Sequence, residues 1–78
     1  MIKFPEDFKV QPHSVVPNAM RAVFPKEGKA VISIVGGGRG LYGNGITTFE
    51  MWDFREEQPK GYLSVEEINL HLEQNPIV

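Results

Sequence analysis

Gly38, Gly40 and Gly43 stand at the spacing G-x-G-x-x-G, inside the run GGGRGLYGNG at residues 36–45. In a dinucleotide-binding unit that spacing lets the backbone approach a pyrophosphate, whose charge rests on the N-terminus of the helix that follows directly. Here Asn44-Gly45, a pairing that favours tight β turns, comes next, and then the β-branched and aromatic run ITTFEMWDF. With no helix start behind the loop, the phosphate has no positive end to rest on. No G-K-[ST] follows either, which excludes a Walker loop. A kinase-type glycine loop does run from strand to strand, but the rest of a kinase does not fit in 78 residues. The loop is therefore expected to connect two strands and to present Arg39, Leu41 and Tyr42 to a partner. No cofactor is expected.

Metal chemistry has few candidates. The two histidines are His13 and His71, and Glu67 stands four residues before His71, so both could reach one ion from a helix. Two ligands make an incomplete site, and His13 would have to meet them in space. No metal site is expected, and each histidine reads as a surface or boundary residue.

Catalysis has less support. There is no cysteine nucleophile. Ser33 falls inside a strand-like run and Ser64 in a helix-capping position. Glu50 and Asp53 are three residues apart on a strand, so they project to opposite faces and form no carboxylate pair. No catalytic residue is expected, and the chain is read as not an enzyme.

The elements that must carry these residues read as follows. Residues 1–17 contain Pro5, Pro12 and Pro17, which break ladders and hold their predecessors extended. They form an extended N-terminal arm anchored by Ile2, Phe4, Phe8 and Val10. Residues 18–24 and 29–35 are apolar runs around a turn bracketed by Pro25 and Gly28, which suggests a hairpin. Residues 46–54 form a third strand after the glycine loop. REEQPKG is a polar turn. Ser64 followed by Glu67 is the capping-box spacing, and Leu63 with Ile68 makes the hydrophobic staple of a helix over 64–74, ended by Asn75 and Pro76. The fold class is α+β: a small three-stranded antiparallel sheet, in the order β-β-β-α, with one C-terminal helix packed on one face.

On the third strand, alternation puts Thr47, Phe49, Met51 and Asp53 on one face and Thr48, Glu50, Trp52 and Phe54 on the other. Both faces carry bulky apolar groups, and one helix covers one face. The arm, a second copy of the chain or a different protein must cover the other. Trp52 is of a type enriched at interface cores. On the helix, Val65, Ile68 and Leu72 form the core stripe, whereas Leu70 projects among acids and is a candidate contact.

Seventy-eight residues allow one domain, 1–78, with a thin core. Without cysteine there are no disulfides to staple it, and a reducing compartment fits best. No run suits a membrane span or signal peptide, so a soluble, cytoplasmic protein is expected. The net charge of −2 is unevenly spread. Residues 1–49 carry six basic and three acidic side chains, and residues 50–78 carry two basic and seven acidic ones. Such polarity steers association.

The expected function is a small non-enzymatic protein–protein interaction domain, an accessory or inhibitory protein of the kind phages and mobile elements encode. Its expected contact residues are Arg39, Leu41, Tyr42, Trp52 and Leu70. Two alternatives are a nucleic-acid-binding protein using the Gly-Arg-Gly loop, which the negative net charge disfavours, and a structural homo-oligomer subunit, for which a homodimer is the simplest form.

Overall fold

The structure, a computed structural model, describes residues 2–77. Five strands and one helix follow one another: β1 (Lys9–Pro12), β2 (Met20–Phe24), β3 (Ile32–Gly36), β4 (Phe49–Asp53), β5 (Lys60–Leu63) and α1 (Val65–Gln74). The strands form one antiparallel sheet in the order β1-β2-β3-β4-β5. Each strand pairs with its sequence neighbour, so every connection is a hairpin.

The expected three-stranded sheet is therefore corrected to five. Both additional strands are edges. An edge strand needs ladder bonds on one side only, so it tolerates residues that mask a strand pattern. Lys9–Pro12 lies within the segment read as an extended arm, and its last residue is a proline. Lys60–Leu63 begins inside the segment REEQPKG, read as a polar turn, at its Lys60 and Gly61. The arm itself is not extended throughout. Residues 3–8 turn back on themselves, with Asp7 N–H donating to Lys3 O (2.9 Å) and Phe8 N–H to Pro5 O (3.0 Å).

One face of the sheet is buried. Ala22, Ile32, Ile34, Phe49 and Met51 project from it into a core completed by Ile68 and Leu72 of the helix. Phe4 and Phe8 enter the same core. Their rings stack edge-on with each other (centroids 5.3 Å apart), Phe4 with Phe49 (5.2 Å), and Phe8 lies 5.6 Å from Phe24. Asn69 of the helix holds this turn as a neighbouring strand would: Phe4 N–H donates to Asn69 Oδ1 (2.8 Å), and Asn69 Nδ2 donates to Phe4 O (3.1 Å). Arm and helix thus cover the same side. The arm does not close the second face.

The helix begins as its sequence dictates. Ser64 Oγ accepts from Glu67 N–H (3.1 Å) and Glu67 Oε1 accepts from Ser64 N–H (3.0 Å), a reciprocal capping box that satisfies two amides otherwise left without partners. Asn75 ends it, its backbone and side-chain nitrogens both donating to His71 O.

The twelve-residue connection from β3 to β4 depends on glycine at specific points. Gly36 and Gly45 press backbone to backbone: a Cβ on Gly45 would lie 2.8 Å from Gly36 C, and Gly45 has φ +76°. Gly45→Ala is expected to destabilise the fold by about 1–3 kcal/mol through strain at that position, and Ser64→Ala by about 0.5–2 kcal/mol through loss of the cap. Urea unfolding followed by far-ultraviolet circular dichroism checks both.

Candidate functional site

The sheet's second face is open, and the pairing register defines what lies on it. Lys9, Val23, Ser33 and Trp52 form one cross-strand row, and Gln11, Arg21, Val35 and Glu50 form the next. Phe54, beyond the end of β4, continues the Trp52 side. A shallow hollow of about 260 Å³ is lined by His13, Arg21, Ser33, Val35, Glu50, Trp52 and Phe54.

The aromatic residues divide between the two faces. Phe4, Phe8, Phe24 and Phe49 serve the core. Tyr42, Trp52, Phe54 and Tyr62 are exposed at 58, 40, 44 and 66%. The exposed four form two pairs. Trp52 and Phe54 have ring centroids 5.3 Å apart, and Tyr42 and Tyr62 are 5.8 Å apart. Trp52 is oriented by donation from its Nε1 to Glu56 O (3.2 Å).

The tyrosine pair reaches this face through a bulge in β5. Phe49 pairs with Leu63 but Met51 pairs with Lys60, so Gly61 and Tyr62 together oppose Glu50. Gly61 leaves room for Tyr42, whose Cβ would lie 2.5 Å from a Cβ placed on the glycine. Tyr42 N–H donates to Glu50 Oε1 (3.1 Å) and Tyr62 N–H to Tyr42 O (2.9 Å). Tyr62 sits at φ +58°, a left-handed conformation that an aromatic side chain adopts only at a cost.

The glycine loop is a built structure. Asn44 organises it: its Oδ1 accepts from the N–H groups of Ile46 (2.7 Å), Thr47 (2.8 Å) and Thr48 (3.1 Å). Its own N–H and Nδ2 donate to Thr48 Oγ1 and Thr47 Oγ1. Gly37 N–H closes the loop on Gly43 O (3.0 Å). The G-x-G-x-x-G spacing thus leads into a bend held by the Asn44 side chain, and a strand follows.

Of the expected contact residues, the structure brings Tyr42 and Trp52 to one face, on either side of Glu50. Arg39 is exposed on the loop, and Leu41 is half-buried there. Leu70 is elsewhere: it borders a crevice with Met51, Leu63 and His71 on the helix side. Phe54, Tyr62 and Arg21 join the open face without having been singled out. The alternation on ITTFEMWDF already placed Phe54 beside Trp52. Nothing local announced Tyr62, because the strand that carries it lies behind a polar turn.

A second polar network lies on the buried face. Asp53 is 2% exposed. Its Oδ1 accepts from Arg55 N–H (3.0 Å) and Arg55 Nε (2.9 Å), and its Oδ2 from Arg55 Nη2 (2.7 Å) and His71 Nε2 (2.9 Å). Arg55 goes on to Asn75 O (2.9 Å) and Pro76 O (3.0 Å), carbonyls at the helix end. Asp53, Glu56 and His71 could each offer one atom to a metal within 4.8 Å of the others. The four donors already satisfy the four lone-pair directions of the Asp53 carboxylate, and the Arg55 guanidinium stands where a cation would. The cluster is a clasp between β4 and the helix.

The histidines do not meet. His71 serves this clasp, whereas His13 Nδ1, at the margin of the open face, accepts from Val15 and Val16 N–H (3.1 and 3.0 Å). Glu67, occupied by the capping box, does not join His71.

The sheet edges are poor templates for a further strand. His13 N–H donates inward to Ala19 O. Alternation then turns Val10 and Pro12 outward, and proline has no N–H to offer. The β5 edge carries the bulge. No helix among the described residues is long and apolar enough to cross a membrane. No protein-family model, no curated protein and no solved structure matches the chain.

Hydrogen bonding from Arg55 is the main cause that holds the Asp53 carboxyl well below the usual carboxylate range, with His71 adding to it against the opposing effect of burial. The folded chain therefore keeps Asp53 ionised to lower pH than the unfolded chain does. The clasp's contribution is full above about pH 4, the ordinary value for aspartate, and declines as pH falls through and below it. Asp53→Asn, which removes the charge and mismatches one face of the donor set, should cost about 1.5–3 kcal/mol at pH 7. The gap between wild type and variant should narrow toward pH 2, as read by urea denaturation at several pH values.

Proposed function

We propose that the chain is a non-enzymatic docking domain that acts by covering a protein surface with the open face of its sheet. The observation that carries this reading is the exposed aromatic set Tyr42, Trp52, Phe54 and Tyr62 on a single face. Aromatic residues are the type that anchors interface cores, surrounded by polar groups that exclude water. Here Lys9, Gln11 and Arg21, on the strands across the sheet from the rings, supply polar groups on one side of the set. The strained backbone at Tyr62 supports the same reading, since glycine or asparagine would relieve it and the ring contributes nothing to the core. Arg39 and Leu41, on the loop that delivers Tyr42, extend the surface. Leu70 lies on the other side and would serve a separate contact.

Nucleic acid fits less well. Stacking rings are present, but Glu50 stands between the two aromatic pairs, and the net charge is −2. Backbone binding requires a basic track. An accessory or inhibitory role in a reducing, cytoplasmic setting suits a cysteine-free domain of this size.

Two variants test the reading. Trp52→Ala combined with Phe54→Ala should abolish binding while leaving the helix and core intact. Tyr62→Gly should weaken binding and raise stability slightly, because it removes an aromatic anchor together with its strain. The measurement is affinity capture from an extract of the organism that encodes the chain, comparing proteins retained by wild type and by each variant. Retention of the same proteins by all three would overturn the proposal. So would a salt-dependent quenching of Trp52 fluorescence by single-stranded DNA or RNA.

A further inference from the structure

We infer that the open face is self-complementary and that its occupant is a second copy of this chain. The inference rests on the docking reading above and adds the identity of the partner.

The argument comes from register. Arg21, Val35 and Glu50 lie in one row across β2, β3 and β4, and Val23, Ser33 and Trp52 lie in the row beside it. β3 is the central strand of the five. A two-fold axis between two such faces, parallel to β3, carries β2 of one copy over β4 of the other and preserves height along the strands. Arg21 then faces the partner's Glu50, and Glu50 faces the partner's Arg21. Val35 meets the partner's Val35 on the axis. Val23 meets the partner's Trp52.

Both charged groups have capacity for this contact. Among the described residues neither is in a salt bridge. Arg21 uses Nε on Ser33 Oγ (3.2 Å), which steadies the guanidinium and leaves its two terminal nitrogens for a carboxylate. Glu50 uses one oxygen on Tyr42 N–H and has the other to offer. Within one chain the two residues stand on either side of Val35, two strands apart, and are not paired with each other. Sheets that pack face to face are about 10 Å apart, a gap that an arginine and a glutamate span together. The offset of about 30° between aligned sheets shifts residues one strand from the axis by roughly 2–3 Å, within the reach of both side chains.

The alternative two-fold, perpendicular to the strands, stacks β2 on β2 and β4 on β4, bringing like charges together. Charge thus selects one arrangement. The wider polarity of the chain agrees: β1 to β3 belong to the basic half and β4 onward to the acidic half, so the chosen axis lays each half over its opposite. With both edges blunted, face-to-face packing is also the route to self-association that the sheet leaves available.

The paired area is modest. Strands of about five residues and a width of five strands make a face roughly 17 Å by 20 Å, at the low end of interface sizes, so the dimer is expected to be weak and reversible.

Sedimentation equilibrium from 1 μM to 1 mM tests the inference. The mass should rise from that of one 8.8 kDa chain toward that of two, with Trp52 emission, the signal of the single tryptophan, shifting to the blue over the same range. Arg21→Glu alone and Glu50→Arg alone should each weaken dimerisation at least tenfold. An equimolar mixture of the two variants should recover a mixed dimer within about threefold of wild type, because both opposed pairs are then of opposite sign. Rescue in the mixture cannot come from a local defect in either variant, and circular dichroism of each alone checks that it folds. A mass of one chain at 1 mM, or single variants that dimerise like wild type, or a mixture that stays monomeric would overturn the inference. A monomeric wild type whose capture of another protein still requires Trp52 would sink the dimer and leave the docking reading standing. Capture indifferent to Trp52 would remove the docking reading itself.

Discussion

A carboxylate buried under a helix must find enough donors to replace water, and Asp53 finds all of them in two residues. That requirement orders much of this molecule. Arg55 wraps Asp53 and reaches on to the last carbonyls of the helix, so the end of β4 and the end of α1 are held together. His71 binds the same carboxylate from within the helix. Removing the donors of Arg55 or His71 would leave the Asp53 carboxylate short of partners where water reaches it poorly. The helix therefore has one seat, on the face that Asp53 shares with Met51 and Phe49.

Once that face is chosen, the second is left uncovered. The N-terminal turn packs on the side already occupied, its phenylalanines joining Phe49 and its backbone hydrogen-bonding to Asn69. Among the described residues, no other segment lies across the sheet's second face. Its core is correspondingly one-sided, and half of its aromatic residues lie outside it. Those residues are not scattered. Bulge, glycine and loop cooperate to place Tyr42 and Tyr62 beside the strand that carries Trp52 and Phe54, and Tyr62 does so in a backbone conformation that favours glycine. That placement carries a cost in local strain at Tyr62.

The glycine run shows how a motif changes meaning with its surroundings. Its glycines permit close approaches, Gly45 on Gly36 and Gly38 on Val16, that a Cβ would forbid. The chemistry of the loop rests on Asn44, whose side chain collects three amides in a bend. In a phosphate loop those amides would be offered to a ligand. Here the protein satisfies them itself.

Much of this was legible in the residues alone. The capping box, the apolar stripe of the helix, the three inner strands and the two faces of ITTFEMWDF all follow from spacings of two, three or four residues, where local geometry decides. The edge strands were not legible, because an edge needs only one partner and so permits the proline and glycine that disguise it. Neither was the clasp: alternation places Asp53 on the face of Phe49 and Met51, and Arg55 falls in a polar turn, but their partners, His71 and the helix end, come across from far along the chain. Composition showed that bulky apolar groups fall on both sides of a strand, but only the tertiary structure decided which residues share the uncovered face. Arg21, Glu50 and Trp52 become neighbours through strand register, and register is a property of pairing between distant segments, set by which side chains the helix and the arm are able to bury.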